Sequence, residues 1–460
     1  MSILIKNGRI ITATDDFVAD IYIEGECVKT IGKKLDIVAE KIIDASGKLV
    51  FPGGIDPHVH LEMPFMGTSS SDTYETGTRA ALFGGTTMLI DFILQKQGNS
   101  LQSALKEWKA RSDHNCVGDY SFHMAVTDFN EETKKEIRHF IEEEGITSFK
   151  TFMAYKGALM IDDRQMIGLM EEVKKHGGII NVHATNGDMI DYLTQKNREE
   201  GNLAPVYHYL SQPEVTEAEA SERFVDLIHY TGCPGYIVHL TCEGALNAVR
   251  NATRRNQKVF VETCIQYLLL DASLYEEDFE GAKWVMSPPL RQKKDQETLW
   301  AGINQGLVQV VATDHCPFMW EQKQMGLQDF SKIPNGHPAV ENRLELFFSE
   351  GVVKNRISLN KFVEVVSTNP AKIFGMFPKK GTIAVGSDAD IVIFDPHEKH
   401  TLSASVHHMN VDYSGYEGWE VTGKVKTVLL RGNVAIESNK CLLEKGYGKF
   451  IRRSKVSQYI

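Results

Sequence analysis

Two histidines two residues apart, His58 and His60, close the apolar run GGIDPHVH (53–60) in a chain of 460 residues. Positions i and i+2 of an extended strand point to the same side, so both imidazoles can face one metal ion. An HxH pair alone says little in a chain with 16 histidines. Two more histidines and an aspartate end similar runs: His183 in IINVHA (179–184), His239 in YIVHL (236–240) and Asp314 in QVVATD (309–314). Imidazole nitrogens and carboxylate oxygens are the ligands hydrolytic zinc uses, so together they point to a metal site. Lys150, late in ITSFKTF (146–152), is the unusual member. An ammonium aimed at cations is repelled, and its unperturbed pKa of ~10.4 falls in such surroundings. The neutral amine can take up carbon dioxide, and the carbamate has two oxygens suited to bridging metals roughly 3.5–4 Å apart. The competing reading is a lysine paired with a buried acid. Between two metals the pKa of a water falls from ~15.7 toward ~7, which predicts a metal-bridging hydroxide as nucleophile.

These residues need a scaffold that gathers strand ends. Eight β-rich runs fill the middle of the chain: the five already quoted together with TTMLIDF (86–92), YSFHMAV (120–126) and VFVETC (259–264). Helical stretches separate them, such as 131–144 and 216–230, the latter with a capping box expected from Thr216 to Glu219. Eight βα units predict an α/β fold, a (β/α)8 TIM barrel. The longer irregular stretches, 61–72, 186–214, 265–294 and 315–340, each follow a strand and so belong to the carboxyl-terminal face, where barrel enzymes build their sites. Both ends of the chain alternate apolar and polar residues, as in SILIKNGRIIT and GKVKTVLLRGNVAIES. The expected organisation is a flanking β-sandwich from 1–50 and 380–440, a barrel over 51–379 between its halves, and an arm at 441–460.

Composition narrows the partners. A net charge of −11 repels a phosphate backbone, which argues against nucleic acid. No apolar run reaches 18 residues and the amino terminus lacks a signal-peptide pattern, so a cytoplasmic protein with no membrane partner is expected. Seven scattered cysteines without a CxxC pair fit a reducing compartment, and Cys316, two residues past Asp314, is the one placed to line a site.

The segments FPGGIDPHVHLEMPFMG, GGTTMLIDF, SFKTFMAYKG, VHAT, VHLTC, SPPLR, ATDHCPF and GTIAVGSDADIVIFDP resemble the cyclic amidohydrolases of the bacterial D-hydantoinase and dihydropyrimidinase kind. The resemblance spans nearly the whole chain. It implies metal-dependent hydrolysis of cyclic amides, 5-substituted hydantoins and dihydropyrimidines, to N-carbamoyl amino acids with D-selectivity. It further implies a binuclear centre in which His58 and His60 bind one metal, His183 and His239 the other, carboxylated Lys150 bridges them and Asp314 sits on the first. Zn2+ is the expected ion, although such ligands also accept Mn2+, Co2+ or Fe2+. By the same resemblance Tyr155 stabilises the oxyanion, and Ser287 and Asn335 hold the ring through backbone groups. Asp314 can shuttle the proton from water to the leaving nitrogen. His315 alternates to the other face and reads as a supporting residue. Met63, Phe65, Phe152 and Leu159 supply apolar surface for a ring substituent; core packing is the other reading of Phe152 and Leu159. The basic, aromatic tail CLLEKGYGKFIRRSKVSQYI resembles an arm that contacts neighbouring subunits, and a homotetramer is expected.

Two other readings compete. A dihydroorotase-like site places an arginine where this chain has Met63, which favours a neutral ring; an allantoinase-type ureide hydrolase is harder to separate. Non-catalytic structural proteins share the fold after losing ligands, whereas all six ligands are kept here.

Overall fold

The computed structural model describes residues 2–455, and its strands sort into a barrel, a terminal sheet and a short two-stranded hairpin. In chain order the strands are β1 (Ser2–Ile11), β2 (Asp16–Glu24), β3 (Cys27–Gly32), β4 (Lys41–Asp44), β5 (Leu49–Pro52), β6 (Gly54–Val59), β7 (Pro64–Phe65), β8 (Thr68–Ser69), β9 (Thr86–Leu94) and β10 (Asp119–Ala125). They continue with β11 (Ser148–Phe152), β12 (Ile179–His183), β13 (Gly235–Ile237), β14 (Val259–Cys264), β15 (Val310–Ala312), β16 (Ile391–Thr401), β17 (Glu420–Leu430), β18 (Asn433–Glu437) and β19 (Lys440–Cys441).

β6 and β9 to β15 form the barrel, each paired in parallel with the next. The ring closes where Val59 pairs with His315 and the His60 N–H donates to His315 O at 2.8 Å. Helices cover the outside, so β10 is buried along its whole length and β9 along all but its last residue. Strands covered on both faces read as apolar runs rather than alternations, which is why the sequence betrays them. Thr73, Ser100, Asn130 and Asp162 cap four of the helices by accepting first-turn backbone N–H groups.

The terminal sheet holds nine strands among the described residues, with β5 joining the early strands β1 to β4 to the late strands β16 to β19. Its alternating pattern buries one face on a separate core that includes Ile3, Ile21, Ile391 and Leu429. A buried ion cluster couples sheet to barrel. Lys380 Nζ lies 2.8 Å from Asp119, 2.5 Å from Asp390 and 3.3 Å from Asp388, and Arg431 Nε lies 3.2 Å from Asp119. Burial opposes the Lys380 charge, and the three carboxylates overcome it, holding its pKa above the ordinary lysine value.

Two expectations are corrected. The helix expected to open with a Thr216–Glu219 capping box starts earlier, at Glu214 behind Pro213. The Thr216 hydroxyl donates back to Pro213 O at 2.8 Å, and Glu219 pairs with Arg223. The stretch 186–214 is not irregular, since it holds helices Gly187–Glu199 and Val206–Leu210. The tail, through Lys455, lies against its own barrel. The Tyr120 N–H donates to Lys449 O at 3.0 Å, the Ile451 N–H to Tyr120 O at 2.7 Å, and Arg453 Nε to Ser121 Oγ at 3.0 Å. The rest of the expected arm, 456–460, lies outside the described residues.

Candidate metal centre

β6 carries His58, fully buried, and His60 follows just past its end. His58 Nδ1 contacts the carboxylate of Glu262 on β14. Glu262 Oε1 also accepts the His239 N–H at 3.1 Å, and Oε2 accepts the Tyr236 hydroxyl at 2.8 Å. With Nδ1–H donating to this carboxylate, His58 Nε2 faces the cavity and can bind a cation once its own proton leaves. Asp56, on the same strand, accepts from the Thr313 hydroxyl at 2.6 Å and ties β6 to the segment that carries Asp314.

Asp314 Oδ1 lies 3.1 Å from both His58 Nε2 and His60 Nε2. Among the described residues these three form the one group of three or more His, Cys, Asp or Glu whose ligand atoms converge within 4.8 Å. Nearby, His183 Nδ1 and His239 Nε2 face each other at 2.8 Å. Lys150, on β11, is buried with Nζ 4.4 Å from the centre of the Phe92 ring.

Burial dominates the electrostatics. It draws the His60 pKa down to about 4, His183 to about 3 and His239 well below the ordinary value. Burial also opposes charge on His58, but the carboxylates of Asp314 and Glu262 push it up to about 9. Burial raises the Asp314 carboxyl, yet His58 and His60 hold it well below the usual carboxylate range. For Lys150, burial wins over Asp314 and Glu262 and brings the amine to about 8. Three neutral imidazoles, a fixed carboxylate and a readily deprotonated amine make a donor set for divalent cations. His58 Nε2, despite its nearness to Asp314, has no hydrogen-bond partner among the described residues. A bound cation would give this nitrogen and Asp314 Oδ1 a shared partner. The residues fit a metal.

A cavity opens over these groups. The structure brings every residue singled out from the sequence to its wall: His58, His60, Lys150, His183, His239 and Asp314, with Tyr155, Ser287, Asn335, Met63, Phe65, Phe152 and Leu159. Cys316 lines it too, whereas His315 turns away, with Nε2 2.9 Å from Asp72 and Nδ1 accepting the Ala339 N–H at 3.1 Å. Tyr155 packs edge-on to Phe65 and Phe152, and burial raises its hydroxyl pKa, keeping the proton available for donation. Ser287 Oγ accepts from Asn335 Nδ2 at 3.0 Å and from Gln212 Nε2 at 3.2 Å.

Backbone geometry corrects two strand ends. β13 stops at Ile237 and β15 at Ala312, short of the expected residues 240 and 314. His239 has φ 40° and Asp314 φ 51°, left-handed values that cannot continue a strand. Tyr155, at φ 61°, shares the feature. Such non-glycine backbone costs of order 1–3 kcal/mol per residue and persists where the surroundings over-determine it.

Glu262 is the functional candidate that sequence reasoning passed over. Its one signal was an acid inside an otherwise apolar run. Glu262→Gln keeps the shape but weakens the hold on the His58 tautomer, and is expected to lower metal affinity about 10–100-fold. Competition with a chelator measures this, and an unchanged affinity would show that His58 needs no such orientation.

The amidohydrolase family model matches residues 49–435. The chain is 48% identical to the D-hydantoinase of Geobacillus stearothermophilus over 99% of this chain and 97% of the other. It is 40% identical to the dihydropyrimidinase of Rattus norvegicus over 100% of this chain and 90% of the other. The crystal structure of dihydropyrimidinase from Brevibacillus agri is similar with a TM-score of 0.98 at 47% identity, covering 100% of both chains.

Proposed function

The chain belongs to the amidohydrolase family, and we propose that it is a cyclic amidohydrolase that opens 5-substituted hydantoins and dihydropyrimidines to N-carbamoyl amino acids. The observation that carries this reading is the single cavity in which four histidines, Lys150 and Asp314 meet Tyr155, Ser287 and Asn335. Two Zn2+ ions would be held here by His58, His60, His183, His239, Asp314 and carboxylated Lys150. Bound there, the pair supplies hydroxide at neutral pH and Lewis acidity toward a carbonyl oxygen.

The protein's own groups do the rest. Asp314 accepts the proton of the attacking water as its oxygen bonds to the ring carbonyl carbon, and returns it to the ring nitrogen as the C–N bond breaks. The Tyr155 hydroxyl donates to the oxyanion that forms on the carbonyl oxygen. Backbone groups of Ser287 and Asn335 hold the planar ureide or imide edge. Met63, Phe65, Phe152 and Leu159 line the same cavity and would contact the ring substituent, while D-selectivity rests on the likeness to D-hydantoinases.

Ring opening of dihydrouracil, a 5-substituted hydantoin, allantoin and dihydroorotate by one zinc-loaded preparation tests the reading. Turnover of the first two alone is expected. Turnover of allantoin or dihydroorotate in their place would transfer the protein to another substrate class. The same preparation is expected to have the mass of a homotetramer by light scattering, and a monomeric mass would remove that part. We also assign the protein to the cytoplasm, on seven free cysteines that suit a reducing compartment. No described helix is long and apolar enough to cross a membrane.

A further inference from the structure

Lys323 closes the short helix Trp320–Lys323 in the loop after β15, and its side chain is fully buried. It does not line the cavity. Its Nζ donates to three backbone carbonyls, Val285 O at 2.9 Å, Pro334 O at 2.8 Å and Gly336 O at 2.8 Å. Those carbonyls flank Ser287 on one loop and Asn335 on the other. The loops also meet directly, through the Gly336 N–H to Val285 O at 3.0 Å and Asn335 Nδ2 to Ser287 Oγ at 3.0 Å. Burial lowers the Lys323 pKa to about 7. Three carbonyl oxygens at hydrogen-bond distance nevertheless call for three N–H donors, and an ammonium has three where a neutral amine has two. Gly336 adds a second constraint, since a Cβ there would fall 2.1 Å from Cys316 O. The two loops are thus fixed from behind at one spacing.

We propose that Lys323 is a positioning residue for substrate recognition: its ammonium clips the 285–288 and 334–336 loops together and sets the separation of the backbone groups that grip the two ends of the ring amide edge. This rests on the reading that Ser287 and Asn335 hold the ring. A side chain that only stabilised the fold would lower stability or yield without changing substrate affinity selectively. A clip predicts a selective change, because misplacing two hydrogen bonds weakens ring binding while leaving the nucleophile and Asp314 in place.

The test uses full-length, zinc-loaded enzyme carrying K323M, which keeps an unbranched stem and removes the donors, and K323R, which keeps charge and donors in a different shape. K323M is expected to raise KM for dihydrouracil about 10-fold, the size of two weakened hydrogen bonds, with kcat changed less than about 3-fold and metal content unchanged. K323R is expected to regain part of the loss in KM. Should K323M fail to fold, K323Q, which keeps a polar stem but has only two N–H donors for the three carbonyls, takes its place: a raised KM at unchanged metal content supports the clip, and a wild-type KM overturns it. Hydrogen exchange keeps the failure of the substrate reading separate. Faster exchange in 285–288 and 334–336, but not in 179–183, is expected of the variant that folds. Wild-type exchange in both loops overturns the clip whether or not the wild-type enzyme opens any ring offered.

Discussion

Replacing Lys150 with alanine is expected to abolish ring opening and to remove stoichiometric metal from the protein. The side chain is buried on β11 beside four histidines and Asp314, where a lysine ammonium and two divalent cations repel one another. Carboxylation replaces that positive charge with an anion offering two oxygens, and alanine offers neither. Metal activation supplies several kcal/mol of transition-state stabilisation, so turnover should fall by about 10^3-fold or more. Atomic absorption should find clearly fewer than two metals per chain. A short-chain carboxylic acid fits the space that the lysine stem vacates and should restore part of both quantities. Full activity of the alanine variant without added acid would exclude the bridging role.

Asp314→Asn should produce the second large effect by a different route. The substitution keeps size and shape, and asparagine tolerates the left-handed backbone of this position, so the fold should survive. What disappears is a negative charge 3.1 Å from both His58 and His60, and a base able to carry the proton to the leaving nitrogen. General acid–base roles contribute about 10^2–10^4-fold, so kcat should fall by that amount with little change in KM. Steady-state kinetics with saturating zinc separate this from metal loss. A kcat within about 3-fold of wild type would assign the proton shuttle to another group.

Much of the site was readable because strand periodicity is strict. His58 and His60 share a side by the alternation of a strand, and His183 ends β12 as its apolar run suggests. His239 and Asp314 were found by type, but their placement was misjudged, because a left-handed residue outside glycine leaves no mark in the sequence. Glu262 escaped notice because its worth lies in a contact with His58, 204 residues away in the chain. The same limit hid Lys323, whose partners come from two other loops. Helix Gly187–Glu199 reads as a loop because only Gly187 along it is buried, so no apolar stripe signals its period. The barrel survived these errors because eight apolar runs separated by helical stretches admit few other arrangements.

The terminal sheet has a consequence for how the protein is made. Val50 of β5 pairs with Ile393 of β16, so the early strands wait for a partner far downstream. At a synthesis rate of ~5–20 residues per second, the ribosome takes roughly 17–70 s to travel between them. Throughout that interval β5, which is buried along its length in the finished molecule, presents an open edge to every neighbouring nascent chain on the same messenger. The strands translated first are thus among the last to be sheltered, and the hazard to yield lies in the wait on the polysome more than in the stability of the finished enzyme.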